Sequence, residues 1–296
     1  MVLLQQVING LAVGGIYSLI AIGWTTVFGI VGMINWTHGD VFMWGAFIGF
    51  TLVTSKVPFI WALTVASLCS AAIAMAVDRL IYRPLRSSGA PRLALFISAL
   101  GASIFLRNLA FMVFGPHSRA YPRVVETRTI DLLTTAAGKV SINSLQLMIL
   151  VVTFFIMAGL QLFITRTKVG KAMLAASQDL ETVGLMGVEA DQLILVTFGM
   201  SGLLGGAAGV LVGTLYAIDP MMGAMAGLKG WAVAVLGGVG SITGSMVSGL
   251  LLGIAENLTA GYISSGYRDA IAFVVMILTL LFKPSGLMGV KFEEKV

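Results

Sequence analysis

The sequence predicts an all-α fold, a polytopic transmembrane helical bundle of about eight spans, with broken or re-entrant helices arranged as an inverted repeat. Three observations carry that expectation. Hydrophobic residues make up 58% of the 296-residue chain and charged residues only 10%, with a mean hydropathy of +0.98. A soluble domain carries about a quarter charged residues. Apolar runs long enough to cross a ~30 Å hydrocarbon core, which takes roughly 20 helical residues, recur along the chain. Two of these runs are interrupted, one by clustered polar residues and one by clustered glycines.

The expected spans are 7–30, 40–56, 58–80, 93–114, 144–165, 192–216, 228–258 and 268–283. They are rich in Leu, Ala and Gly and lack the period-two alternation of a barrel strand, so they are helices. The first lacks a basic n-region and a small-residue cleavage site, and is expected to be retained. Arg79, Arg83, Arg86 and Arg92 crowd the stretch VDRLIYRPLRSSGAPRL and mark it as cytoplasmic. The same positive-inside bias explains the net charge of +5 without a nucleic-acid partner. Residues 115–143 then form an exterior loop, and 166–191, with Arg166, Lys168 and Lys171, return to the cytoplasm. Eight spans would place both termini outside, whereas Lys283, Lys291 and Lys295 pull the C-terminus inside. That conflict points to a miscount within 228–258.

The chain reads as one transmembrane domain, 1–296, with approximate halves 1–115 and 144–290. Each half holds a break. In VGMINWTHGDVFMWGAF, Asn35, Thr37, His38 and Asp40 stand together, and Asp40 is the first charge after 39 residues without one. In GLKGWAVAVLGGVGSITGSMVSGLLLG, the glycines from Gly237 to Gly244 each cost a helix roughly 1 kcal/mol relative to alanine, which predicts an interruption. Paired breaks are the mark of transporters built from inverted repeats. The spacings Gly10/Gly14, Gly45/Gly49, Gly205/Gly209, Gly209/Gly213 and Gly249/Gly253 predict close helix contacts.

Several chemistries are excluded. The lone Cys69 rules out an intrachain disulfide and a thiolate metal cluster. The two histidines, His38 and His117, form no HExxH motif, no Ser-centred elbow occurs, and GVGSITG lacks the Walker spacing. Energy from nucleotide must come through a partner. Charges within spans cost about 2.5–3.5 kcal/mol when central, so Arg107, Glu256 and the Arg268–Asp269 pair need explanations. Arg107 is expected to pair with a carboxylate or helix carbonyls, Glu256 to sit at the membrane boundary, and Arg268 and Asp269 to snorkel from a span end.

The cytoplasmic stretch GKAMLAASQDLETVGLMGVEAD carries Met173, Ala176, Leu180 and Val183 at helical spacing, with Gln178, Asp179, Glu181 and Thr182 elsewhere around the turn. It predicts one amphipathic helix of about four turns, ended by Gly187 in a left-handed conformation. Its acid-leaning charge favours a protein groove over anionic lipid.

Three separated motifs, INGLAVGGIYSLIAIGWTTVFGIVGMINWTHGD, AASQDLETVGLMGV, and GLKGWAVAVLGGVGSITGSMVSGLLLG followed by KPSGLMG, resemble the permease subunits of branched-chain amino acid ABC importers. YRPLR at 82–86 extends the likeness across nearly the whole chain. The chain departs from the family's pattern at Thr37, where alanine is common, and at Leu174, where a second basic residue is common. The resemblance implies a multi-pass protein of the inner membrane, a second permease subunit, two ATP-binding subunits that carry ATP and Mg, and an external solute-binding protein. This chain would itself hold no cofactor or metal and be no enzyme. The resemblance implies that 166–191 is the coupling segment, with Met173, Ala176, Asp179, Leu180, Glu181, Val183 and Gly187 at the ATPase contact. It also places Asn35, Thr37, His38, Asp40, Gly237, Gly238 and Gly240 near the substrate pathway. From the residues alone, the polar cluster can satisfy unwound backbone and cap the next helix through Asp40 or Thr37, or it can face a solute. Urea or short amides are the alternative substrates, and a stand-alone ion-coupled secondary transporter is the rival class.

Overall fold

The computed structural model describes residues 2–126, 128–135 and 138–289, so Lys291 and Lys295 lie outside the described residues. The chain runs α1 (Val2–Val31), α2 (His38–Thr54), α3 (Phe59–Val77), a π-helical turn (Asp78–Tyr82), α4 (Arg83–Ser87), α5 (Arg92–Phe114), β1 (Thr129–Thr135), β2 (Gly138–Asn143) and α6 (Ser144–Arg166). It continues through α7 (Lys168–Ala176), α8 (Leu180–Leu185), α9 (Ala190–Leu215), α10 (Met222–Gly237), α11 (Ile242–Tyr262) and α12 (Arg268–Phe282). The polytopic helical bundle is as expected. The 115–143 loop adds an antiparallel hairpin that pairs Thr129 with Asn143 and Thr135 with Gly138. The Gln5 side chain holds both the N–H and the C=O of Ser141 at 2.9 Å, which ties the hairpin to the start of α1.

Among the described residues, six helices are long and apolar enough to cross a membrane, or seven if the bent pair α10–α11 is one span. This is fewer than eight. The expected span 40–56 is the 17-residue α2, about 25 Å long at ~1.5 Å per residue. The expected span 228–258 is two helices that meet at 118°.

α1 runs from the hairpin to the end where the arginines gather, with Gly29 lying beside Gly240 and Ser177. It stops at Gly32, whose φ of 68° is left-handed and whose N–H closes on Phe28 O at 2.8 Å. The chain then folds back along α1, so that α2 begins beside Ile20 and Gly23, inside the bundle. α9 runs in the opposite sense, from Asp191 beside Arg83 toward Gly213 beside Tyr121. Residues 216–221 fold back in turn, and α10 begins with Gly223 against Gly39. Each unit is a long helix, a break and a half-length helix, and the two units point opposite ways.

The partner of the 32–37 break is therefore 216–221, not the expected 237–244. The glycine cluster instead makes the tight turn between α10 and α11, with Gly238 and Gly240 at φ of 98° and 93°. Ser241 caps α11 by accepting from Gly244 N–H at 3.1 Å. The KPSGLMG tail closes the turn: the N–H groups of Leu287 and Met288 donate to the carbonyls of Leu236 and Gly237, at 2.8 and 3.0 Å. Those carbonyls are the unpaired groups of a helix end, so the tail satisfies α10. It also brings the described C-terminus to the basic end, the side to which Lys283 pointed.

The small-residue spacings make contacts within this chain. A Cβ on Gly14 would stand 2.8 Å from Gly249 O, and one on Gly45 would stand 2.5 Å from Gly206 Cα. Such approaches let α1 pack on α11 and α2 on α9 through backbone.

Candidate functional site

The first site is the joint where the two half-length helices meet. Asn35, Thr37, His38 and Asp40 are each at most 2% exposed. Thr37 Oγ1 and Tyr82 OH donate to Asn35 Oδ1 at 2.6 and 3.1 Å. His38 Nε2 lies 3.1 Å from Ile20 O and Nδ1 lies 3.0 Å from Ser201 Oγ. Because a carbonyl only accepts, Nε2 carries the proton and, in the neutral ring, Nδ1 accepts from the Ser201 hydroxyl. Asp40 accepts from Ser103 Oγ and pairs with Arg107 Nε at 3.4 Å, the carboxylate partner expected for Arg107. Thr37 occupies the N-cap position of α2 but makes no side-chain cap bond there. Its hydroxyl, like the Asp40 carboxylate, is engaged elsewhere. The four residues thus fasten the joint to α1, α5, α9 and the π-helical turn.

The cavity at this joint, lined by Trp24, Trp36, Asp40, Arg107, Gly223 and Trp231 among others, has a volume of about 10 Å³, room for about one water molecule. The expected pathway residues are not brought together: Gly237, Gly238 and Gly240 lie at the α10–α11 turn, where Gly240 lines a cleft with Thr25, Gly29, Met173 and Ser177. The motifs separate because 237–244 reverses the chain at the bundle's end rather than unwinding a helix inside it.

At the basic end, the expected four-turn helix is two shorter ones, α7 and α8. Asp179 divides them, since its carboxylate accepts from Thr182 N–H at 3.1 Å and caps α8. Gly187 has the expected left-handed φ, 85°. Met173 and Ala176 are 3% exposed and Val183 6%, packed with Leu180 onto this chain's own core. Glu181 lies within α8. Leu185 and Met186 project instead, at 89% and 80% exposure. They escaped the periodic reading because they stand off its stripe; their position beside the terminating Gly187 was the available signal. Arg83 Nε pairs with Asp191 at 3.0 Å, clamping α4 to the foot of α9, and Arg86 pairs with the buried Asp78 of the π-helical turn at 2.6 Å.

The second site, toward the hairpin end, gathers Glu256, Arg268 and Asp269, which the sequence singles out separately, around Lys229, which it does not. Lys229, on the buried face of α10, places its Nζ 2.9 Å from Glu256, 2.7 Å from Asp269 and 3.1 Å from Tyr17 OH. Tyr17 OH donates to the other Glu256 oxygen at 2.8 Å. Glu256 is fully buried within the bundle, and Asp269, half exposed at the start of α12, pairs with Lys229. Arg268 donates to Tyr216 OH at 3.2 Å and to Asn257 Oδ1 at 3.4 Å. Lys229 was passed over because it adjoins a charge-free run and read as that run's edge. The Asp219–Pro220 pair ahead of α10, where Asp219 accepts from Met221 N–H at 2.8 Å, was the signal that the helix starts earlier.

Discontinuous helices meeting inside an apolar bundle, with satisfied polar groups at their junction and charged groups lining a cavity, define a membrane transport permease. The family model described as "Branched-chain amino acid transport system / permease component" matches residues 6–280. The chain belongs to that family. It is 41% identical to the high-affinity branched-chain amino acid transport system permease protein BraD of Pseudomonas aeruginosa, over 99% of this chain and 98% of that one. It is 39% identical to the corresponding protein LivH of Salmonella typhimurium, over 99% and 97%. Among solved structures, PsaBC from Streptococcus pneumoniae in complex with Fab is similar at a TM-score of 0.49 and 13% identity, over 94% of this chain and 91% of that one.

Proposed function

We propose that this chain is the permease subunit of an ATP-driven importer for branched-chain or related hydrophobic amino acids. The observation that carries the reading is near-full-length identity of 39–41% to BraD and LivH. In this reading the protein sits in the inner membrane with its basic end in the cytoplasm. A second permease subunit, related or identical, completes the pathway. Two ATP-binding subunits, holding ATP and Mg, dock at the basic end around α7 and α8, and a solute-binding protein delivers amino acid at the hairpin end. This chain hydrolyses nothing itself.

The test is reconstitution in proteoliposomes. The chain alone should neither bind ATP nor accumulate leucine, whereas the assembled importer should accumulate leucine on ATP addition. Leucine accumulation by the isolated chain under a proton or sodium gradient would overturn the reading in favour of a secondary transporter. Uptake of urea without leucine by the assembled importer would replace the substrate class.

A further inference from the structure

The cavity beside Lys229 is open, apolar over most of its wall and charged at one side. Its volume is about 270 Å³, just below the range of about 300–1,000 Å³ that small-molecule sites occupy. Val13, Ile16, Ile20, Phe42 and Met225 furnish the apolar wall, and Lys229, Arg268 and Asp269 the charge. We propose that this vestibule binds a zwitterionic α-amino acid with a branched aliphatic side chain, its carboxylate on Arg268 and its ammonium on Asp269. The proposal rests on the amino-acid importer reading above and assigns its solute a site within this chain.

Charge balance is the first argument. Lys229 and Arg268 face Glu256 and Asp269, two cations against two anions, so the ionised cluster is neutral. A solute with a net charge would enter this low-dielectric wall uncompensated, whereas a zwitterion adds one group of each sign to a wall that offers both. The second argument is unused bonding capacity. Tyr17, Glu256 and Asp269 surround the Lys229 ammonium, matching its three donors, so it is a fixed part of the wall. Arg268 is different: of its five donors one meets Tyr216 OH at 3.2 Å and one Asn257 Oδ1 at 3.4 Å, so the terminal nitrogens keep N–H groups to spare. A guanidinium fork with unspent donors suits a carboxylate. Asp269 commits Oδ1 to Lys229, and its side chain remains 55% exposed, able to meet an ammonium with the other oxygen. The joint cavity at about 10 Å³ offers no comparable room, and its Asp40 and Arg107 are already paired with each other.

The experiment uses the assembled importer in liposomes without its binding protein, carrying Met225→Cys in a Cys69→Ser background. Met225 lines the cavity and is 42% exposed, so a maleimide can reach it. L-Leucine should slow labelling about tenfold at roughly ten times its Kd. 4-Methylpentanoate, which lacks the ammonium, and isoamylamine, which lacks the carboxylate, should protect poorly. Arg268→Gln and Asp269→Asn should each weaken leucine protection roughly tenfold or more while the complex still assembles, and Arg268→Lys should restore part of it. Equal protection by leucine, 4-methylpentanoate and isoamylamine would overturn the zwitterion site, because apolar packing alone would then explain it. Normal ATP-driven leucine uptake once the binding protein is added back, with no protection in its absence, would also overturn it and leave the importer reading standing. Protection without uptake even after the binding protein is added back would keep the site and count against that reading.

Discussion

Lys229→Met tests whether the buried charges between α1, α10, α11 and α12 hold the bundle together. The substitution keeps the length and apolar stem of the side chain and removes the ammonium. Glu256, fully buried, loses the cation 2.9 Å away and keeps only the Tyr17 hydroxyl at 2.8 Å. Removing one partner of a buried ion pair costs about 3–5 kcal/mol, because the surviving charge has neither water nor counter-ion. The Asp269 contact adds little, since that carboxylate is 55% exposed and solvent screens it. At ~2–4 °C per kcal/mol, the apparent melting temperature of the purified protein should fall by roughly 10 °C. Lys229→Met/Glu256→Gln removes both charges and leaves Tyr17 an amide to bond, so it should recover most of the loss. The assay is loss of the monodisperse chromatographic peak on heating in detergent, with Asp269→Asn as the mild control. A single variant as stable as the unmodified protein would refute the reasoning, and so would a double variant no better than the single.

Other substitutions test the remaining contacts. Gly45→Val should prevent accumulation in the membrane, because even a Cβ there would meet Gly206 backbone at 2.5 Å, whereas Gly101→Val, with nothing within 4 Å, should accumulate normally on a membrane immunoblot. His38→Leu strands the Ile20 carbonyl and the Ser201 hydroxyl and should destabilise by about 1–3 kcal/mol; His38→Gln, which can donate and accept, should lose less in the same melting assay. At the basic end, Leu185→Asp and Met186→Asp should leave the chain folded and sharply reduce co-purification of ATP-binding subunits. Val183→Asp, which buries a carboxylate in this chain's own core, should instead reduce membrane accumulation of the chain itself.

Composition and apolar run length by themselves determined that this chain is a helical membrane protein, because the bilayer demands long runs of internally bonded apolar backbone. The polar residues at 35–40 marked a true break, and Gly187 a true left-handed stop, since each is a local rule with a local cause. The motifs named the family, which the match over residues 6–280 bears out. The tertiary structure alone decided which break answers which. A glycine cluster serves equally as an unwound span or a tight turn, and only the tail on Leu236 and Gly237 selects the turn. It alone decided what the charges do as well: Glu256 and Lys229 stand 27 residues apart in sequence and 2.9 Å apart in space. For the stripe of Met173, Ala176 and Val183, helical spacing revealed an apolar face but not what covers it. Hydrophobic burial has no direction in sequence, and here the cover is the chain's own core.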